Sequence, residues 1–250
     1  MTVATIVPDW PAPAHVKAVA TQRGGGVSRG LYASLNLGTQ VGDDPDSVAA
    51  NRRVLAAELE LPRQPSWLEQ VHGATVADLD TESPRAADGA VTSSALRVCA
   101  VLTADCLPVL FVDTAGARIG VAHAGWRGLA GGVLPAVVAA MGDDPADLLA
   151  WLGPAIGPGA YEVGAEVRAV FVAADAGADA CFTPNARGRW QADLYGLARL
   201  SLAAAGVNAI YGGDFCTYTD TERFYSSRRE ATCGRMATLI WLSPPRPTPR

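Results

Sequence analysis

The sequence predicts one α+β domain built on mixed β-sheets. Three observations carry that reading: short strand-like apolar runs outnumber helical stretches, hairpin connections mix with helical ones, and no repeat or linker divides the chain. At 250 residues, 49% of them hydrophobic, the chain can bury a substantial core; a disordered chain would be charge-rich and poor in Val, Ile, Leu and Phe.

A first strand is expected at residues 15–21, ahead of the glycine-rich turn Arg23-Gly24-Gly25-Gly26. Residues 46–60 read as a helix because Val48, Leu55 and Leu59 fall at spacings of seven and four, on one face of a 3.6-residue period. Strand-like runs follow at 66–72, 89–92, 97–103, 107–112, 118–123 and 149–152. Helices are expected at 129–141, 164–174 and 194–205, the last two flanked by strand-like segments, and the closing strands at 209–212 and 237–242. Residues 243–250 are rich in Pro and Arg and read as a frayed tail, leaving 1–242 as a single catalytic domain.

Composition excludes several classes. No apolar run approaches the ~18 residues of a membrane span, and the opening Met1-Thr2-Val3-Ala4-Thr5 lacks the basic start and apolar stretch of a secretory signal. A net charge of −5 argues against a nucleic-acid partner, which calls for a concentrated basic surface. Lys17 is the single lysine among 20 basic residues, a bias that fits a GC-rich genome better than a binding role. The five cysteines (Cys99, Cys106, Cys181, Cys216 and Cys233) are odd in number and lack CxxC spacing, so reduced thiols and a cytoplasmic location are expected.

The informative stretch runs from Thr103-Ala104-Asp105-Cys106-Leu107-Pro108 to His123-Ala124-Gly125-Trp126-Arg127-Gly128. Two apolar runs between them are joined through Asp113-Thr114-Ala115-Gly116. If Asp113 faces Gly116 around a tight turn, Cys106 and His123 lie directly opposite each other, with Cβ atoms about 4.5–5.5 Å apart. A thiolate and an imidazole so placed can share a metal ion, or the imidazole can deprotonate a cysteine nucleophile. A register slip of one residue would put them on opposite faces.

The chain has three histidines. His15 sits among prolines and reads as a surface residue, whereas His72 ends a strand-like run that opens into Gly73. His72, Cys106 and His123 would leave the fourth tetrahedral position of a zinc ion open, as catalytic sites do. One thiolate leaves such an ion a net charge of about +1, so it stays a Lewis acid. On these residues alone a zinc site, a cysteine hydrolase and no site all stay open.

Eight segments together resemble a family known as the "polyphenol oxidase, laccase domain" proteins, which includes YfiH, YlmD, peptidoglycan editing factor and FAMIN. They are Thr21-Gln22-Arg23-Gly24-Gly25-Gly26-Val27-Ser28, Ser34-Leu35-Asn36-Leu37-Gly38, Gln70-Val71-His72-Gly73 and Ala87-Asp88-Gly89-Ala90. Thr103-Ala104-Asp105-Cys106-Leu107-Pro108-Val109, His123-Ala124-Gly125-Trp126-Arg127-Gly128, Leu152-Gly153-Pro154-Ala155-Ile156-Gly157 and Gly234-Arg235-Met236-Ala237 complete the set in family order. The resemblance implies mixed β-sheets covered by helices, related to the catalytic domain of cytotoxic necrotizing factor. It implies a zinc site on His72, Cys106 and His123, with copper an alternative occupant. It also implies a purine nucleoside phosphorylase acting on adenosine, inosine, guanosine and methylthioadenosine, with adenosine deaminase activity.

Phosphorolysis needs an anion site, stabilisation of a developing oxocarbenium and polarisation of the leaving base. Arg23, Arg127 and Arg235 are the arginines attached to matching motifs, and a planar fork suits phosphate oxygens, although each could be a surface residue. Asn36 and Gln70 could hydrogen-bond a ribose or base edge, or satisfy backbone groups. Asp105 could orient a ligand or accept a proton beside Cys106, or be structural; Asp88 reads as a turn residue, and Trp126 could stack a purine but reads more simply as core.

Two other enzyme readings stand beside this one. A cysteine hydrolase acting on muropeptide precursors would use Cys106 as nucleophile and His123 as base, and would not need His72. A multicopper oxidase needs a His₂Cys centre plus further imidazole-bound coppers, which three histidines cannot supply, so copper in the same site would give only weak polyphenol oxidase activity. A metal-dependent binding partner of cell-wall machinery is the non-enzymatic reading.

Overall fold

The computed structural model describes residues 2–81 and 83–243. The first half contributes β1 (Thr5–Ile6), β2 (Val16–Thr21), α1 (Pro45–Glu58), β3 (Ser66–Trp67), β4 (Val76–Asp78) and β5 (Gly89–Thr92). Then come β6 (Val98–Thr103), β7 (Leu107–Asp113), β8 (Ile119–Ala124), α2 (Trp126–Ala130), α3 (Val133–Met141) and β9 (Leu148–Leu152). The remainder supplies β10 (Glu162–Val163), α4 (Ala165–Ala174), β11 (Phe182–Pro184), β12 (Trp190–Ala192), α5 (Leu194–Ala204), β13 (Ala209–Gly212) and β14 (Met236–Leu242).

Alternation along the central strands builds the layers. In β7, Val109 and Phe111 face one way and Leu110 and Val112 the other, and all are fully buried because both faces are covered. The six-stranded sheet runs β13-β9-β7-β8-β5-β4 and the five-stranded sheet β1-β2-β14-β6-β3. Leu110, Val112, Val121 and Trp151 of the first meet Ala18, Val101 and Ile240 of the second in a shared core. Outside the six-stranded sheet, α3 presents Val133, Leu134, Val137, Val138 and Met141, an i, i+4 stripe, against Val109 and Phe111. Outside the five-stranded sheet, Leu55 of α1 packs with Val98, Ala100 and Leu239. The order is therefore helix, sheet, sheet, helices, with a small sheet β10-β12-β11 beside α4. Helix α1 starts where the sequence supplies a cap: the Asp44 carboxylate accepts from the Asp46 and Ser47 N–H groups, with Pro45 in the first turn.

Four expectations need correction. The helix expected at 129–141 begins at Trp126 and breaks at Gly131-Gly132, where Gly132 takes φ +87°. The strand expected at 66–72 pairs through its backbone at Ser66 and Trp67 alone, because the Gln70 side chain then takes over the edge of β6. The short strands β1, β4, β10, β11 and β12 carry no apolar run long enough to read in sequence. The β7–β8 hairpin is offset by two residues: Asp113 N–H donates to Arg118 O (3.2 Å), so the chain turns through residues 114–117. Pro108, not Cys106, faces His123, and Leu107 faces Ala124. An even offset preserves the face, so Cys106 still emerges on the side of His123. The tail expected at 243–250 lies, apart from Ser243, outside the described residues.

Candidate metal centre

Two turns and a strand end deliver the cluster. His123 is next to last in β8, Cys106 is the bend residue before β7, and His72 lies in the loop between β3 and β4. Their donor atoms all lie within 4.8 Å of one another, and Cys106 Sγ is 4.0 Å from His72 Nε2. The two imidazoles meet edge to face with centroids 4.7 Å apart. A tetrahedral zinc ion with two nitrogens and one sulfur sets those donors about 3.3–3.6 Å apart. The Cys106–His72 pair must close by about half an ångström and the widest pair by about an ångström, and the exposed ring of His72 is free to supply that movement.

Asp88, read in sequence as a turn residue, is the keystone. Its fully buried carboxylate accepts from His123 Nδ1 (2.8 Å) and from the backbone N–H groups of Val71 (3.2 Å), His72 (3.0 Å) and Gly73 (2.7 Å). Three successive N–H groups converge on one anion because His72 adopts φ +59°, the left-handed half of a backbone nest. One carboxylate thus fixes both the His72 loop and the His123 ring, leaving His123 Nε2 as the free ring nitrogen. Metal-binding histidines are commonly oriented by such a partner.

Electrostatics follow from these contacts. Burial pushes the Cys106 thiol up, but hydrogen bonding and charge from His123 and His72 outweigh it and bring it down to about 6. Burial pushes His123 down, yet Asp88 and the Cys106 thiolate raise it to about 9. Burial would also raise the Asp88 carboxyl, but hydrogen bonds from His123 and Gly73 hold it below the usual value. The metal-free pair is a thiolate beside an imidazolium, and Cys106 is already the anionic ligand a metal requires.

Two clefts meet at the cluster, and His72, Cys106 and Ser227 stand in the walls of both. The larger, about 410 Å³, is bounded by Thr39, Trp67, Gln70, His123 and Arg235 among others. The smaller, about 220 Å³, is bounded by Trp126, Arg127, Tyr161 and Arg228.

The other expected site residues divide between these clefts and the scaffold. Asp105, at φ +95°, stands in the wall of the smaller cleft, and its carboxylate accepts from Thr217 Oγ1 (2.6 Å), Ser226 Oγ (3.0 Å), Ser227 Oγ (3.1 Å) and Arg228 N (2.7 Å). It pins the loop of residues 217–228 against the Cys106 bend. Asn36 is fully buried and spends its amide on Gly38, Asp43 and the Arg235 N–H. Gln70 exchanges two hydrogen bonds with the Leu102 backbone (2.8 and 2.7 Å) while lining the larger cleft. Arg23 binds the carbonyls of Ala33 and Thr221 and lies along Tyr225, outside both clefts. Arg235 lines the larger cleft but donates to the Cys233 and Gly234 carbonyls. Arg127 reaches the smaller cleft, stacked on Trp126 at 4.3 Å.

Sequence reasoning missed Asp88 as an orienting group and did not single out Tyr161 or Arg228. A lone acid between Ala87 and Gly89, followed by a fully apolar strand, was the available signal for a buried and therefore partnered carboxylate. Tyr161 and Arg228 are 67 positions apart and meet only in the fold.

Comparison with known proteins adds family context. The family model described as multi-copper polyphenol oxidoreductase laccase matches residues 17–243. The chain is similar to the purine nucleoside phosphorylase YfiH of Escherichia coli, with 53% identity over 95% of this chain and 98% of the relative. It is 54% identical to a purine nucleoside phosphorylase of Pseudomonas aeruginosa over 96% of this chain and 98% of that one. Among solved structures, YlmD of Geobacillus stearothermophilus superposes with a TM-score of 0.88 at 36% identity, covering 94% of each chain. A Neisseria meningitidis protein superposes with a TM-score of 0.91 at 47% identity, over 96% of this chain and 99% of that one.

Proposed function

The chain belongs to the multi-copper polyphenol oxidoreductase laccase family, and from that premise we propose that it is a zinc-dependent purine nucleoside phosphorylase with adenosine deaminase activity. The family's descriptive name does not set the chemistry, because three histidines cannot supply a multicopper centre. The observation that carries the proposal is the His72–Cys106–His123 cluster, oriented by Asp88 and standing where two clefts meet. The names of the relatives supply the substrate class.

His72 Nε2, Cys106 Sγ and His123 Nε2 would hold the ion, and a zinc ion there supplies Lewis acidity at an open fourth position. Copper suits the same donors and is the second occupant to test. The protein's own residues do the rest. Asp88 keeps the His123 ring and the His72 loop fixed before substrate arrives, so no reorganisation is needed during the reaction. Asp105, committed to the loop of residues 217–228, acts as a positioning residue that keeps Ser227 and Arg228 beside Cys106. At 410 Å³ the larger cleft falls in the range of about 300–1,000 Å³ that holds ligands of nucleoside size. Trp67 offers an aromatic wall there, with Arg52, also in the wall, stacked on its ring at 4.1 Å.

Adenosine, inosine, guanosine and methylthioadenosine are the expected substrates, in the cytoplasm. Among the described residues no helix is long and apolar enough to cross a membrane. Chromatography of metal-quantified protein tests the proposal: inosine with phosphate yields hypoxanthine, and adenosine without phosphate yields inosine. Stoichiometric zinc with neither product would overturn the nucleoside assignment.

A further inference from the structure

Ten of the 17 arginines among the described residues are spent. Arg118, Arg168, Arg187, Arg189, Arg223 and Arg229 pair with carboxylates, and Arg23, Arg52, Arg199 and Arg235 donate to backbone carbonyls. Arg127 and Arg228 are not spent, and unlike the exposed Arg29, Arg53, Arg63, Arg85 and Arg97, which also lack a carboxylate partner among the described residues, they stand in the wall of a cleft at the cluster. Among the described residues neither guanidinium meets a carboxylate: Arg228 donates once, to Glu162 O (2.6 Å), and Arg127 makes no side-chain hydrogen bond. Both line the smaller cleft beside Cys106, each braced on an aromatic face: Arg127 on Trp126 at 4.3 Å and Arg228 on Tyr161 at 5.3 Å. They come from different elements, one from the start of α2 and the other from the loop that Asp105 clamps. Two uncompensated planar forks in the wall of one small cleft form a receptor for an oxyanion.

We propose that this smaller cleft is the phosphate subsite, with Arg127 and Arg228 as the binding forks and Tyr161 as a neutral phenol wall. The inference rests on the phosphorylase reading above. Three facts support it. The volume of about 220 Å³ falls below the size suited to a whole nucleoside but accommodates an anion of five heavy atoms. The Tyr161 phenol stays protonated, since burial and the Cys106 thiolate push it up to about 12 despite both arginines. It can therefore donate a hydrogen bond to the anion without adding negative charge. Finally, the two clefts share a wall of His72, Cys106 and Ser227, so a ribose at that junction would have its base on one side and phosphate on the other.

That separation is what displacement at C1′ demands. A phosphate oxygen forms the new C1′–O bond as the C1′–N9 bond breaks on the opposite side. The bonding pair leaves with the purine, which takes a proton from solvent, and the products are ribose 1-phosphate and the free base. Arg127 and Arg228 touch the nucleophile, so they govern phosphate saturation and leave nucleoside saturation unchanged.

The test is steady-state phosphorolysis of inosine by the full zinc-loaded chain, varying phosphate and inosine independently in wild type, Arg127→Gln, Arg228→Gln and Arg168→Gln. Arg127→Gln and Arg228→Gln are each expected to raise KM for phosphate about tenfold or more, with KM for inosine within about twofold. Arg127→Lys should recover only part of the loss, since it restores charge without the fork. Arg168, paired with Asp179 away from both clefts, controls for net charge and should leave both constants unchanged. An unchanged phosphate KM in both cleft variants, or an equal rise in Arg168→Gln, overturns the subsite while the phosphorylase reading stands. Wild-type protein that carries zinc but forms no hypoxanthine overturns both. Because Arg127 is exposed and unbonded, its variant folds, so a null result there counts against the subsite.

Discussion

Replacing Asp88 by Asn puts the greatest load on the geometry of the cluster. Asp88 Oδ1 takes the His72 N–H (3.0 Å) and His123 Nδ1 (2.8 Å), whereas Oδ2 takes the Val71 (3.2 Å) and Gly73 (2.7 Å) N–H groups. An amide offers one oxygen in place of two and turns an NH₂ toward the remaining pair of donors. Either the His123 ring or the His72 loop is untethered, whichever way the amide sits. Two charge-assisted hydrogen bonds at about 1.5–3 kcal/mol each amount to about 3–6 kcal/mol. At about 2–4 °C per kcal/mol for a chain of this size, the metal-free protein should melt about 6 °C or more below wild type. Loss of an orienting partner costs about 10–100-fold in metal affinity. Chelator-competition titration with zinc reads the affinity, and circular dichroism of the metal-free protein reads the melting. Zinc affinity within about twofold of wild type together with an unchanged melting temperature would refute the keystone role.

Three other expectations follow from the same contacts. A Cβ at Gly125 would lie 2.9 Å from Cys106 Sγ and 3.2 Å from His72 Cδ2, at a backbone φ of −66° that alanine adopts freely. Gly125→Ala should therefore weaken zinc binding about tenfold or more with little change in melting, and unchanged affinity would contradict the packing. With His123 raised to about 9 and Cys106 lowered to about 6, zinc binding at pH 7.5 must expel one proton, from His123. Apparent affinity should climb about tenfold per pH unit between about 6 and 9 and flatten above; calorimetry in buffers of different ionisation enthalpy counts the proton, and a zero count refutes the ion pair. The pair's own stability contribution runs the same window: the raised His123 loses its share as pH rises through about 9, and the lowered Cys106 loses its share as pH falls through about 6. Asp105→Ala removes the acceptor of four hydrogen bonds in a buried site and should cost about 3–5 kcal/mol in urea unfolding; a loss below about 1 kcal/mol would show that the loop of residues 217–228 is held by other means.

Much of the fold was legible because its central strands are short, apolar and bounded by turn residues. β2, β5, β6, β7, β8, β9, β13 and β14 each fall within about two residues of their expected bounds. The site was legible through parity. The hairpin turn was misplaced by two residues, yet an even offset keeps Cys106 and His123 on one side, whereas an odd one would have separated them. What failed was any role set by tertiary hydrogen bonding. Asn36 and Gln70 look alike in sequence as polar groups among leucines, and only the fold shows that their amides are spent on backbone. Asp88 looks like a turn residue because its four partners come from the loop at residues 71–73 and from His123. The arginines cannot be ranked by composition, since their availability depends on which carboxylates the fold sets beside them.

The central claim is that His72 joins Cys106 and His123 in one metal site on which nucleoside chemistry depends. Its most direct test measures zinc content and phosphate-dependent release of hypoxanthine from inosine in the same preparations of wild type and His72→Ala. His72 is exposed and among the described residues its side chain makes no hydrogen bond other than to Cys106, so the variant should keep its metal-free melting temperature. The account predicts about one zinc per wild-type chain with turnover, and the loss of both in the variant. Full turnover in His72→Ala would contradict it and leave Cys106 and His123 as a metal-free cysteine–histidine pair.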